Sequence, residues 1–412
     1  MPIIFIQISS AISFFRSGQA KSYIMATISE EVYDENNDNC EIVIDEHEEE
    51  EMPEDESILS FTNHSDAAYC VAFCKKSIAN GIVLASGGGD DKGYIYQLFD
   101  GEEPRAIELK GHTDSINAVA FSEDGKYLAT GGLDELVILW NPINGEMIYK
   151  LTGPTESIEW LAWHPQMPAV LAGDRAGFMW LYSAVKGKCV KVYSQHGGAV
   201  TCGGFRAPEG KEIWSAGEDM RLKTWAVVSG QATSQISGIL FHSEPIIAGG
   251  CSPNGQLIAT GDISGIVKIS KFGGPQLQQA NLDNGDNSIE AIAFSPDSKL
   301  IAVASMGGAA TIWNPNDSQL RHALKHPAGV TCLKWHPTQP YLITGCADGA
   351  VRVWDSRNGK LLKEMTGHTN VITGMDIRFV NDSKQEILIA TSSEDHTVKV
   401  WIFDEKEIEQ MQ

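Results

Sequence analysis

The chain is poor in basic side chains. Its 31 Lys and Arg residues stand against 54 Asp and Glu residues, which gives a formal net charge of −23 at pH 7. Direct nucleic-acid binding is disfavoured, because neutralising phosphates requires clustered Lys and Arg. Long apolar runs are missing too, since the most apolar stretch, residues 2–15, is too short to cross a bilayer as a helix. We therefore expect neither nucleic-acid binding nor membrane insertion.

Closely spaced cysteines are also missing. Eight cysteines are scattered along the chain, and none forms the Cys-x2-Cys pair that is typical of a structural zinc site. Several fall in predicted strands, where a free thiol behaves as a small apolar side chain. We expect no metal and reduced thiols, a state typical of a cytoplasmic protein and also compatible with the nucleus.

Catalytic motifs are missing as well. The glycine-rich stretch 86–92 matches neither the phosphate-binding loop nor the dinucleotide-binding fingerprint. No nucleophile elbow or metalloprotease helix occurs, and paired carboxylates are uninformative in so acidic a chain. We expect no catalytic residue, no cofactor and no enzyme activity.

What the chain does contain is a unit of about 43 residues that recurs eight times. Residues 110–150 show it best, as four stretches that alternate like strands and are separated by turn residues. Internal similarity at this period predicts a β-propeller. Each unit ends in a slot, mostly aromatic, that lies 41 to 47 residues after the previous one: Tyr96, Trp140, Tyr182, Trp225, Ser270, Trp313, Trp354 and Trp401.

The recurring residues resemble a WD repeat: Gly-His, an Asp six residues before a Trp, and Trp-Asn or Trp-Asp. The resemblance covers residues 57–404 and implies an all-β fold, an eight-bladed WD-repeat β-propeller. Seven blades are the alternative if unit 5 is irregular. The family's blades each contain a hydrogen-bonded set of His, Ser or Thr, Asp and Trp. The fullest sets here are His112, Thr130, Asp134 and Trp140; His196, Ser215, Asp219 and Trp225; His326, Thr344, Asp348 and Trp354; and His368, Thr391, Asp395 and Trp401.

These polar sets invite a catalytic-triad interpretation, but they recur at blade spacing, which favours a structural role. Buried His and Asp side chains would cost several kcal/mol without partners, and a closed network satisfies them. Unit 1 has Tyr96 in place of Trp. Units 3 and 5 have Ala176 and Ser264 where Asp is expected, and unit 6 keeps only Trp313, so we expect weaker networks there.

The regions outside the repeats differ sharply in composition. Residues 1–24 are an apolar extension; a start at Met25 would leave them out of the native product, and a targeting segment is the alternative. Residues 25–56 form an acidic tail that we expect to be disordered, with 15 carboxylates and no Lys or Arg in residues 30–56. Residues 57–61 are predicted to be the missing fourth strand of unit 8, which closes the ring, and residues 405–412 form a C-terminal tail.

In propellers of this family, the loops before the first strand and after the second strand of each blade share one face. The positions that point there are acidic and partly apolar: Glu159, Glu218, Glu290, Glu394, Tyr69, Ile247 and Met306. The alternative is that these carboxylates are ordinary solvated loop residues. An acidic, partly apolar rim suits a basic protein segment with a few hydrophobic anchors.

The order of features narrows the resemblance. An acidic tail, eight WD-type units and Gly-Gly-Gly-Asp-Asp-Lys-Gly at 87–93 resemble the angio-associated migratory cell protein family. That family is similar to a fungal chaperone that escorts a basic large-subunit ribosomal protein. The resemblance implies a monomeric chaperone-like binder of a basic ribosomal protein segment. The alternative is an intracellular adaptor in signalling of the cell-migration and angiogenesis type.

Overall fold

The computed structural model describes residues 54–78, 81–99, 102–194, 196–227, 237–240, 242–272, 280–283, 285–380 and 386–404. The predicted N-terminal extension, nearly all of the acidic tail and the C-terminal tail lie outside these ranges. Every regular element within the ranges is a β-strand, and the 32 strands form eight antiparallel sheets of four. The expectation of eight blades is confirmed, and the seven-bladed alternative is wrong.

The chain enters through one short strand of the last blade and then builds four blades in succession. Each of these blades has four consecutive strands, hydrogen-bonded in chain order. The strands are β1 (Leu59–Phe61); β2 (Ala68–Phe73), β3 (Ile82–Gly88), β4 (Gly93–Leu98) and β5 (Arg105–Leu109); β6 (Ile116–Phe121), β7 (Leu128–Gly132), β8 (Val137–Trp140) and β9 (Met147–Leu151); β10 (Ile158–Trp163), β11 (Ala169–Asp174), β12 (Met179–Ser183) and β13 (Lys188–Tyr193); β14 (Cys202–Phe205), β15 (Glu212–Ala216), β16 (Arg221–Ala226) and β17 (Ser237–Leu240).

The second half repeats the pattern, except that blade 8 takes only three strands from this end of the chain. The strands are β18 (Ile246–Cys251), β19 (Leu257–Asp262), β20 (Ile266–Lys271) and β21 (Ala280–Asp283); β22 (Ile289–Phe294), β23 (Ile301–Ser305), β24 (Ala309–Asn314) and β25 (Gln319–Lys325); β26 (Val330–Trp335), β27 (Tyr341–Cys346), β28 (Val351–Asp355) and β29 (Lys360–Met365); β30 (Ile372–Phe379), β31 (Glu386–Ser393) and β32 (Val398–Asp404).

The ring is closed by strand β1, which pairs antiparallel with β32 in a register that sets Leu59 opposite Val400. Buried Lys399 on β32 holds the segment that precedes β1, because its Nζ donates to Asp55 and, at 3.2 Å, to Ser60 Oγ. The edge of β32 is therefore covered rather than left open to another strand.

The first strands of the blades contact one another in order from β2 to β30 and back to β2, so they surround the axis of the ring. The core lies between blades, where side chains of each first strand pack on the sheet of the preceding blade. Gly87 shows how tight this packing is, because a Cβ there would lie 2.4 Å from Ile116 Cγ2 of the next blade. In the ranges described, no helix is long and apolar enough to cross a membrane.

Candidate functional site: the rim of the propeller

Blade 2 shows the polar network in full. The Trp140 indole donates to Thr130 Oγ1 at 2.8 Å, and that oxygen lies 2.7 Å from His112 Nε2. His112 Nδ1 lies 2.9 Å from Asp134 Oδ1. Because a carboxylate only accepts, Nδ1 carries the proton, and Nε2 accepts from the threonine hydroxyl. Thr130 is fully buried, so its hydroxyl is bonded within the network and is not accessible to a substrate.

The carboxylate of this network also shapes a loop. Asp134 accepts from the backbone N–H of Thr113 at 3.0 Å and of Leu136 at 3.3 Å. Burial acts to raise the pKa of Asp134, but the hydrogen bond and charge of His112 outweigh it and lower that pKa, so the side chain stays ionised. The same side-chain bonds form in blade 4 through His196, Ser215, Asp219 and Trp225, and in blade 8 through His368, Thr391, Asp395 and Trp401. In blade 1, His64 bonds Asp90 and Ser86, and the indole bond is replaced by a contact of 3.4 Å between Ser86 Oγ and the Tyr96 hydroxyl.

Blade 7 departs from the prediction. His326 and Trp354 both bond Thr344, but His326 Nδ1 donates to the carbonyl of Leu324 at 3.0 Å and not to Asp348. In blades 1, 2, 4 and 8, the residue after the His gives the carboxylate a backbone N–H. Here that residue is Pro327, which has none.

The carboxylate of blade 7 is held by an arginine instead. Arg352, which is buried, donates to Asp348 through both terminal nitrogens, at 3.2 and 2.7 Å. Burial lowers the pKa of His326 to about 4, and the positive charge of Arg352 adds to that lowering. The predicted His326–Asp348 bond was therefore wrong, and a proline beside the histidine was the signal in the sequence.

Blades 3 and 5 carry a carboxylate that the repeat pattern missed. In blade 5, His242 Nδ1 lies 2.7 Å from Asp262 Oδ2, two residues before Ser264. In blade 3, Asp174 takes the equivalent place and accepts from the Trp180 indole at 2.8 Å. Blade 2 has Gly132 at this position, where a Cβ would lie 2.7 Å from Asp134 Oδ1. An Asp at this earlier position therefore occupies the space that the usual Asp side chain fills elsewhere.

One edge of the ring, which we call the rim, is formed by the loops that precede the first strands and the loops that join the second and third strands. A backbone hydrogen bond ties these two loops together in all eight blades, as from Glu218 N to Ala199 O at 3.0 Å and from Glu394 N to Val371 O at 3.0 Å. The predicted rim residues Glu218, Met306 and Glu394 supply the donor N–H in their blades. They therefore lie on the rim by the course of the backbone.

The other predicted rim residues occupy β-bulges. The strand register shifts across Tyr69, Glu159, Ile247 and Glu290 in the first strands of blades 1, 3, 5 and 6. A bulge redirects a side chain out of the regular alternation. Ile247 is nevertheless only 7% exposed, so its side chain packs inside the molecule and offers a partner little surface.

Residues with donor groups at the equivalent position join one blade to the next, at bulges in blades 2, 7 and 8 and just before β14 in blade 4. Thr201 and Thr331 donate to the carbonyls of Ile246 and Ile372 at 2.7 and 2.6 Å, and Asn117 donates to that of Ile158 at 3.4 Å. Thr373 closes the seam between blades 8 and 1 through the carbonyl of Ala68. Glu159 and Glu290 stand at the same position, but each carboxyl group bonds a serine hydroxyl two residues earlier in its own blade.

The carboxyl groups of Glu159 and Glu290 are largely removed from water, which changes their pKa values. Burial raises the pKa of Glu159 to about 7, with Arg175 opposing the shift and Glu218 adding to it. Burial also raises the pKa of Glu290 and of Glu394. Their hydrogen bonds to hydroxyls are local, from Ser157 to Glu159 at 3.4 Å and from Ser288 to Glu290 at 2.6 Å.

The rim brings together only some of the predicted set. Glu159 and Glu218 lie close enough to influence each other electrostatically, with Arg175 beside them. Tyr69 lies against the loop residue Gly89 of its own blade, and Met306 of blade 6 lies against Gly329, which precedes the first strand of blade 7. No Lys or Arg nitrogen of the described ranges lies within 4.0 Å of the carboxylates of Glu159, Glu218, Glu290 or Glu394.

Two sequence families match this chain, one at three places and the other over one longer stretch. Residues 103–141, 318–355 and 359–401 match the WD domain, G-beta repeat family. Residues 251–336 match the family described as the anaphase-promoting complex subunit 4 WD40 domain. These matches agree with the predicted WD repeats.

Similar proteins and solved structures show which WD-repeat proteins this chain resembles. The human angio-associated migratory cell protein is 30% identical over 84% of this chain and 80% of its own length. The ribosome assembly protein SQT1 of Saccharomyces cerevisiae is 23% identical over 81% of this chain and 83% of its own. Chaetomium thermophilum Sqt1, solved bound to the N-terminus of the ribosomal protein L10, superposes with a TM-score of 0.74 at 24% identity, covering 84% of this chain and 100% of that one. The chain therefore belongs to the WD-repeat β-propeller family that includes angio-associated migratory cell protein.

Proposed function

We propose that this chain is a non-enzymatic scaffold that captures a basic segment of a large-subunit ribosomal protein on its rim. The observation that carries the proposal is the set of desolvated rim carboxylates, Glu159, Glu290 and Glu394, which lack a Lys or Arg ion-pair partner in the described ranges. A guanidinium or ammonium group from a client would stabilise their ionised form.

The binding energy divides between two kinds of contact. Charge complementarity from the rim and from the acidic tail would steer a basic client and raise its association rate. Tyr69 and Met306, both partly exposed on the rim, would give it apolar contacts. The pairing of Sqt1 with the N-terminus of L10 in the related structure supports a ribosomal client for this propeller fold.

In this function the protein would act as a monomer in the cytoplasm, and the nucleus is the alternative location. A chaperone of this type would bind its client during synthesis and release it on the ribosome, so it needs no cofactor and carries out no chemical step. The alternative adaptor function predicts regulators of cell migration as partners, which the same experiment separates.

The experiment is affinity capture of the tagged full chain at low salt from cells in which translation has just been arrested, followed by mass spectrometry. The expected result is one dominant basic ribosomal protein, lost when Glu159, Glu218, Glu290 and Glu394 are all replaced by Gln. Enrichment of membrane-proximal or cytoskeletal regulators without a ribosomal client would contradict the proposal.

The matched control removes four carboxylates from the opposite edge of the ring. Glu102, Glu123, Glu146 and Glu209 lie in loops that join first to second or third to fourth strands, and all four are exposed. Replacing them by Gln changes the formal net charge by the same amount as the rim variant. Capture of the client should survive this change, because the proposed site lies on the rim.

A further inference from the structure

Exposed apolar side chains are concentrated in two of the eight blades. Ten large apolar side chains are exposed in the described ranges, and six of them lie between residues 143 and 192: Ile143, Met147, Met167, Val185, Val190 and Val192. Contiguous apolar surface on a soluble domain marks an interaction site more often than scattered single residues do. The densest part is the hairpin of β12 and β13.

This hairpin ends in an unpaired strand. β13 is the outermost strand of blade 3, so its outer row of N–H and C=O groups has no partner strand in the sheet. Val190 and Val192 are 60% and 41% exposed, and Val185 in the turn is 58% exposed. Edge strands are usually short or carry charged side chains, because an exposed apolar edge recruits other strands.

The charge of the hairpin is opposite to that of the chain as a whole. Residues 179–193 contain Lys186, Lys188 and Lys191 and no Asp or Glu, in a chain whose net charge is −23. Lys186 and Lys188 are exposed beside the valines. By comparison, the outer strand β29 has Glu364 among its lysines, and β5 has Glu108 beside Arg105. The outer strands β9 and β25 also have basic side chains and no Asp or Glu, so β13 differs from them in its two exposed valines.

We propose that the β13 edge is a second binding surface, which adds an extended acidic segment of a partner protein as a fifth strand of blade 3. Backbone hydrogen bonds to the edge would give affinity. β13 has a β-bulge at Val190, which turns that side chain out of the regular alternation, so apolar side chains of the added strand would meet Val192, with Val190 beside it. Carboxylates of the partner would face Lys186 and Lys188. The surface lies on the outside of the ring, so it can be occupied while a client lies on the rim.

The direct test uses a defined probe, the peptide Glu-Val-Glu-Val-Glu-Val-amide with fluorescein on its N-terminus, held at fixed concentration and titrated with the intact chain by fluorescence anisotropy. We expect saturable binding that weakens by about tenfold with Val192→Ser or Lys188→Glu. The control is Leu320→Ser, an exposed leucine on the outer strand β25. The four-Gln rim variant should bind the probe as the parent does, which separates this proposal from the proposed function.

The backbone geometry is tested through Cys189, which is the exposed cysteine among those described and lies on β13 itself. In a Cys40→Ser background, a probe whose terminal Cys is activated as a mixed disulfide with thionitrobenzoate should exchange with the Cys189 thiolate, forming the protein–probe disulfide and releasing thionitrobenzoate. An N-methylated probe that is activated in the same way but cannot add as a strand should not. Absence of saturable binding, equal binding by the Val192→Ser variant, or equal cross-linking of the N-methylated probe would overturn the proposal. Loss of a dimer in sedimentation with Val192→Ser would overturn it too, by assigning the edge to self-association.

Discussion

At the residue scale, the polar groups of this propeller are held by the positions of single donors and acceptors. A carboxylate can reach the His of its blade from either of two positions, as Asp134 and Asp262 show. A single proline after the His removes one donor, and in blade 7 the carboxylate pairs with Arg352 instead. The repeat sequence predicts that such a network exists, but the partner of each group depends on its neighbours in space.

Blade 5 gives a direct test of the missed carboxylate. Asp262 is fully buried and accepts from His242, from Ser264 Oγ at 2.7 Å and from two backbone N–H groups. Asp262→Ala should lower the free energy of unfolding by about 3 kcal/mol, because several buried donors lose their acceptor. Ser264→Ala should cost about 1 kcal/mol. Equal losses in urea titrations would show that the repeat pattern, and not the geometry, identifies the key residue.

The second residue-scale prediction concerns pH. The pKa of Glu159 is raised to about 7 in the folded protein from an ordinary 4.5, so the folded state binds the proton more tightly than the unfolded state. This group therefore favours folding most below pH 4.5, and its contribution is lost as the pH rises toward 7. As the pH rises from 4.5 to 8, the free energy of unfolding of Glu159→Gln should increase relative to that of the parent by about 3 kcal/mol. Urea unfolding of both proteins at several pH values measures this, and a constant difference would contradict it.

At the scale of elements, the strand pattern was readable because each blade repeats the same alternation and turn chemistry. The count of eight sheets and the all-β class follow from that repetition. The bulges at Tyr69, Glu159, Ile247 and Glu290 were not readable, because a one-residue register shift leaves the alternation on either side almost unchanged. The burial of Ile247 was missed for the same reason.

Strand β1, which closes the ring, should be needed for the stability and solubility of the propeller. β1 covers the edge of β32, and Asp55 and Ser60 engage buried Lys399. A chain that begins at Asn63 loses all of these contacts and exposes β32, so it should aggregate and unfold at lower temperature than the parent. A chain that begins at Glu54 keeps them and serves as the control. Light scattering and thermal unfolding of the two chains measure this. The account is contradicted if both chains stay monomeric and unfold at the same temperature.

At the scale of the whole molecule, charge is distributed unevenly around a rigid ring. Desolvated carboxylates lie on the rim, exposed lysines and valines lie on the outside of blade 3, and the polar networks join the loops of the rim. The composition predicted a basic partner, because the acidic excess is large. It could not predict which carboxylates are desolvated, since desolvation depends on how the blades meet.

The most direct measurement is calorimetric titration of the full chain with a synthetic peptide of the N-terminal segment of ribosomal protein L10, at low and at moderate salt. The account predicts binding that weakens with salt, and a rise in Kd of about a hundredfold, roughly 3 kcal/mol, when Glu159, Glu218, Glu290 and Glu394 become Gln. It also predicts a shallower salt dependence for that variant. The opposite-edge variant should bind like the parent. Unchanged binding of the rim variant at low salt would contradict the claim that the rim carboxylates capture a basic client.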